Sequence, residues 1–81
     1  MSMVENKTTN LDKLKPGQEC KLIDVHLTGA NGQRLMDMGF MPGVKIKVLR
    51  NAPLTDPVEL EIRGYNVSIR HAEARYIEVS L

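Results

Sequence analysis

The sequence predicts a mostly β protein, a small five-stranded barrel with one short helix between its first two strands. Three observations lead there. Three late segments alternate apolar and polar residues: Val44, Ile46 and Val48 against Lys45 and Lys47, then Val58, Leu60 and Ile62 against Glu59, Glu61 and Arg63, then Tyr65, Val67 and Ile69 against Asn66, Ser68 and Arg70. Period two is the signature of a half-buried strand. Gly64 leaves only a tight turn between the second and third of these. Finally, 81 residues make one domain with a modest core, so short sheets that each bury one face must curl together, which also hides strand edges.

The elements follow in order. Residues 1–9 (MSMVENKTT) carry no periodicity and are expected as a flexible tail ahead of a domain over 10–81. Asn10 is placed to cap a helical turn at Leu11-Asp12-Lys13-Leu14, with Leu11 and Leu14 on one side, and Pro16-Gly17 ends it. This turn is expected as a lid over one end of the barrel. The first strand runs from Glu19 to Leu27, with Ile23, Val25 and Leu27 on one face and Leu22, Asp24 and His26 on the other. Thr28 to Gly32 is loop chemistry, and a helix over roughly Asn31 to Met38 closes at Gly39. Phe40 to Gly43 forms an apolar turn. Lys45 and Lys47 are expected to face Glu59 and Glu61 across an antiparallel pair, worth roughly 0.2–1 kcal/mol each. His71 to Arg75 makes one more helical turn, and Tyr76 to Ser80 is the last strand, with Ile77 and Val79 inward.

Composition narrows the function classes. Eleven Lys+Arg against ten Asp+Glu leave a net charge of +1, with the signs interspersed, and only three residues are aromatic. Nucleic-acid binders need a basic stripe or aromatic stacking platforms, so that class is set aside. One cysteine gives no disulfide framework and no structural zinc site, which suits a reducing compartment. No apolar run approaches the roughly 18 residues that span a bilayer, and the polar N-terminus lacks a secretory signal's apolar stretch. The expectation is a cytoplasmic protein without direct membrane insertion.

Candidate chemistry is sparse. Cys20, Asp24 and His26 fall two and four residues apart on one expected strand face, but alternate residues sit about 6.6–6.8 Å apart, too far to converge on one ion without a bend. No CxxC, HxH or HExxH occurs. Neither a metal site nor a cofactor is predicted, and His71 reads as a surface or capping histidine. Cys20 has no nucleophile motif, and Ser68 and Ser80 lie within strands. Thr28-Gly29-Ala30-Asn31-Gly32 lacks the terminal Gly-Lys-Ser/Thr of a phosphate loop, so its glycines read as the exit from strand to helix. A non-enzymatic protein is expected.

Protein contact is the better prospect. Leu35 and Met38 share a helix face toward the barrel, whereas Met36 lies about 100° away. Met36, Phe40 and Met41 are therefore candidates for an adaptable apolar patch beside Arg34 and Asp37. The competing reading packs all of them onto the barrel end. A second candidate is Leu54, presented by the proline-stiffened loop Asn51 to Pro57.

The stretch Arg34-Leu35-Met36-Asp37-Met38-Gly39-Phe40-Met41-Pro42-Gly43 resembles the R-L-x-x-L/M-G-x-x-P-G signature of the ferrous iron transport protein A (FeoA) family. The resemblance starts at Leu11 to Gly17 and continues through Val44 to Val48, Asp56-Pro57-Val58, Gly64, Ile69 to Ala74 and Ile77 to Val79. Ser68-Ile69 stands where many relatives have Ala-Leu, and the loop Asn51 to Asp56 lacks a common Gly-Gly. The resemblance implies an SH3-like barrel and a cytoplasmic accessory of the membrane ferrous iron transporter FeoB. The same barrel ends iron-dependent metalloregulators, where a winged helix would precede it. The expected tail of residues 1–9 is too short for such a domain, so the accessory is the expectation. A ferrous-ion carrier or sensor using Cys20, Asp24 and His26 is the reading from another class. Open barrel edges also permit weak homo-oligomers.

Overall fold

The computed structural model describes residues 7–81 and folds them into one six-stranded antiparallel sheet. The strands are β1 (Thr8–Asn10), β2 (Glu19–Val25), β3 (Lys45–Arg50), β4 (Val58–Ile62), β5 (Tyr65–Ile69) and β6 (Ile77–Ser80). Helix α1 (Gly29–Asp37) joins β2 to β3, and α2 (His71–Ala74) joins β5 to β6. The sheet order is β1-β6-β2-β3-β4-β5, so β1 and β5 are its edges. The buried apolar residues of β2 to β6 form one cluster, around which the sheet curls as a partly open SH3-like barrel.

The expected five strands are all present, and β1 is an addition. It pairs Thr8, Thr9 and Asn10 with Ser80, Val79 and Glu78. A polar three-residue edge strand is too short to show periodicity, which is why Thr8 and Thr9 read as tail; residues 1–6 of that expected tail lie outside the described residues. The alternation of Val44, Ile46 and Val48 and of Val58, Leu60 and Ile62 is inward as predicted. In β5 only Ile69 is buried, because an edge strand leaves Tyr65 uncovered.

Two local features depart from simple alternation. Between Leu22 and Asp24 the β2–β6 register shifts by a bulge. A bulge inserts one residue and reverses which side chains point inward. Cys20 and Leu22 therefore face the core before it, Val25 and Leu27 pack against the core after it, and Ile23 is left exposed. Lys47 does face Glu61, but the antiparallel register carries Lys45 away from Glu59, and a second shift between Val48 and Arg50 brings Arg50 rather than Leu49 opposite Glu59.

A 3₁₀ turn over Leu11–Lys13 forms the predicted lid, with Leu11 and Leu14 buried. Asn10 makes no side-chain cap. The turn is held from across the molecule instead, by Asn51 Nδ2 donating to the carbonyls of Asp12 and Leu14 at 3.1 and 2.6 Å.

Helix α1 begins two residues earlier than expected. Gly32, buried within it, passes so close to the preceding segment that a Cβ would collide with the Leu27 carbonyl. The helix closes in a Schellman motif: Gly39, at φ +107°, donates to Met36 at 3.0 Å, and Phe40 donates to Leu35 at 3.0 Å.

Candidate docking surface

The Schellman motif decides what the predicted apolar patch contains. It sets Phe40 beside Leu35, the hydrophobic contact that usually accompanies this cap, and both side chains are wholly buried. Phe40 is thus corrected from partner contact to core. Met36 and Met41, 45% and 43% exposed, remain on the surface either side of it. Met38 packs against the core with Leu35, as the helix stripe predicts. The result is a pair of solvent-facing methionines on either side, in sequence, of a buried aromatic ring.

The polar residues beside the patch are partly committed. Arg34 pairs with Glu73 of α2 and donates from Nη1 to Met38 Sδ at 3.5 Å, while Glu73 also accepts from the Arg70 backbone N–H at 3.0 Å. Arg34 is therefore a strut between α1 and α2 with half its side chain still in solvent. It lines, with Asn31, Ser68 and Arg70, a cleft of about 580 Å³. Asp37 accepts from Gln33 Nε2 at 2.9 Å, one helical turn away. Leu54 is fully exposed at φ +60° and borders a different cleft, formed with the 3₁₀ turn and α2.

The structure does not bring together the candidate metal ligands. The bulge turns Cys20 into the core, where burial pushes its thiol up to about 11 and keeps it protonated near neutrality. Asp24 and His26 stay outside. His26 Nε2 lies 2.9 Å from Glu78 Oε1, and Nδ1 lies 3.9 Å from Asp24 Oδ2. The hydrogen bond to Glu78, aided by the charges of Asp24 and Glu78, raises the His26 pKa above its ordinary value despite some desolvation. Among the described residues, no group of three His, Cys, Asp or Glu side chains is placed to hold an ion.

One constellation escaped sequence reasoning. His71 Nδ1 and its backbone N–H both contact Asp56 Oδ1 at 2.8 Å, and Nε2 lies 2.8 Å from Asn51 Oδ1. Asn51 already donates to two carbonyls, so its oxygen is the acceptor toward His71. The network joins the lid, the β3–β4 loop and α2. His71, Asp56 and Glu73 all lie in segments that carry the family resemblance, the one signal that could have marked them.

The geometry agrees with the relatives. The FeoA domain family model matches residues 9–81. A fusion protein of Fe(2+) transport protein A and the Fe(2+) transporter FeoB from Porphyromonas gingivalis is 41% identical over 71 residues, covering 88% of this chain but 8% of its own length. The FeoA protein of Chlorobium tepidum superposes with a TM-score of 0.82 at 40% identity, covering 90% of this chain and 70% of that one. At the level of fold alone, zinc-complexed FeoA of Stenotrophomonas maltophilia, an SH3 domain protein, is similar at TM-score 0.77, 21% identity and 88% of each chain. So is IdeR of T. acidophilum, at TM-score 0.81, 20% identity, 99% of this chain and 37% of that one. With the signature around α1 and a family match over nearly its whole length, the chain belongs to the FeoA domain family.

Proposed function

We propose that this chain is a non-enzymatic accessory of ferrous iron uptake, docking on the cytoplasmic side of the membrane transporter FeoB through Met36 and Met41, with Arg34 and Asp37 at the margin. The observation that carries the reading is the Porphyromonas gingivalis relative, in which a segment 41% identical to this one is part of a fusion with FeoB. Fusion of two partners in one polypeptide raises their effective concentration for each other. The exposed methionines add a physical means, since flexible thioether side chains conform to a partner surface.

Two further features favour a binding module. Met36 and Met41 are exposed outside the core cluster, so they can meet a partner without the core moving. The inward Cys20 weakens the competing ferrous-carrier reading, because it faces the core while the Asp24 and His26 side chains stay outside. The likeness to IdeR is one of fold and carries no partner with it.

The test is ferrous iron uptake in native cells with and without this chain, at constant transporter abundance. A marked fall on deletion, reproduced by Met36→Asp in a folded protein, is the expected outcome. Unchanged uptake in both would separate the family membership from this role.

A further inference from the structure

The loop between β3 and β4 ends in a feature that core packing does not explain. Leu54 is fully exposed, and it holds φ +60°, a conformation unfavourable for a branched side chain. The loop is not loose at this point: Thr55 N–H donates to the Ala52 carbonyl at 3.2 Å, and Asn51 anchors the base to the lid. Leu54 is thereby held out on a fixed stem.

Its surroundings are cationic. The cleft it borders is lined by Lys13, Lys15 and Arg75, and among the described residues none of the three makes a salt bridge. The carboxylate nearest along the loop, Asp56, is turned to His71. Only Asp12 opposes them among the lining residues, three cations against one carboxylate.

A protein partner would call for a different setting. Anchoring side chains at protein interfaces sit among close-packed neighbours that exclude water, and lysine, though not arginine, is depleted across such interfaces, whereas Leu54 stands fully exposed with two lysines beside it. A projecting aliphatic group ringed by unpaired cations matches a lipid surface, where the apolar tip enters the headgroup–acyl boundary and the cations meet anionic headgroups. We propose that Leu54, with Lys13, Lys15 and Arg75, forms a peripheral docking surface for an anionic phospholipid bilayer. This goes beyond the reading above and does not depend on which protein is the partner.

The test is co-sedimentation of the full chain with vesicles of phosphatidylcholine containing phosphatidylglycerol, and with phosphatidylcholine alone. Partition to the anionic vesicles alone is expected, weakening with salt over the range where the Debye length shrinks. Leu54→Gly should reduce it roughly tenfold, and Lys13→Gln or Lys15→Gln about fivefold each. Leu54→Gly removes an exposed side chain and relieves the backbone, so an unchanged melting curve will show that it folds. Met36→Asp should partition like the parent, keeping this surface distinct from the transporter-facing one. No partition to anionic vesicles, equal partition to neutral ones, or indifference to Leu54→Gly would overturn the proposal. Loss of transporter capture in Leu54→Gly with no vesicle binding by the parent would overturn it in favour of a protein occupant.

Discussion

Asn51 stands between the lid and the ring of His71: its amide nitrogen donates to Asp12 and Leu14 while its oxygen lies 2.8 Å from His71 Nε2. One side chain thus fastens three segments that are remote in sequence. Asn51→Ala would leave two lid carbonyls and the imidazole without their partner. Each lost contact to a part-buried group matters, and the total is expected at about 1–3 kcal/mol. For a domain of this size that lowers Tm by roughly 5–15 °C. A calorimetric melt reads it directly, and a shift under a degree would show that water replaces Asn51 at no cost.

Asp56 makes the same network sensitive to acid. The backbone N–H of His71, and then its side chain, hold the Asp56 carboxyl below its ordinary value of 3.8. A carboxyl depressed in the folded state adds stability above its unfolded pKa, and that contribution is lost as pH falls through the folded value. Urea unfolding measured at descending pH should therefore show a loss below about pH 4. Asp56→Asn should flatten that part of the profile; an identical slope in the variant would mean other carboxylates account for it.

What the residues showed in advance was whatever repeats. Val58-x-Leu60-x-Ile62 fixes its own face, and Leu11 and Leu14 mark a lid because both are apolar one helical turn apart. The bulge after Leu22 leaves no trace in the pattern, since Ile23 is as apolar as the residues it displaces from the inward row. Phe40 was ambiguous for a related reason: its burial depends on the Schellman closure at Gly39, a backbone event, and not on its place in any stripe. The Asn51–His71–Asp56 network pairs residues 15 to 20 apart in sequence with no period to reveal them.

Gly32 separates a packing role from a phosphate-loop role for the glycines after β2. A methyl there would meet the Leu27 carbonyl carbon at 2.9 Å and its oxygen closer still, and backbone cannot swing aside as a side chain can. Gly32→Ala is expected to cost about 1–3 kcal/mol by overpacking. Denaturant unfolding checks this. A neutral result would show that α1 shifts freely relative to the segment before it.

His26 offers a titration with the opposite sign to Asp56. Its pKa is raised, chiefly by the hydrogen bond to Glu78, with Asp24 adding charge attraction. A raised imidazole contributes stability that is complete below its unfolded value of 6.5 and fades as pH rises through the folded value. Proton NMR of the ring should give a midpoint above 6.5, moved down by Glu78→Gln. Anaerobic calorimetry with ferrous ion should show no stoichiometric micromolar site, because Cys20 faces the other way. Tight binding abolished by His26→Ala would revive the carrier.

Met36 and Phe40, four residues apart, should fail in opposite ways. Met36 is half exposed and off the core stripe, so Met36→Asp is expected to change stability by no more than about 0.5 kcal/mol while weakening capture by the transporter. Phe40 is wholly buried, and Phe40→Ala removes the largest core side chain at about 3–5 kcal/mol. That is most of the stability a domain of this length holds, so the variant should be largely unfolded at growth temperature and lose docking for that reason alone. Running thermal melts beside the capture assay distinguishes the two. If Met36→Asp melts early, the methionine is part of the packing and the docking surface must lie elsewhere. If it melts normally and binds normally, the exposed methionines are not what the transporter holds.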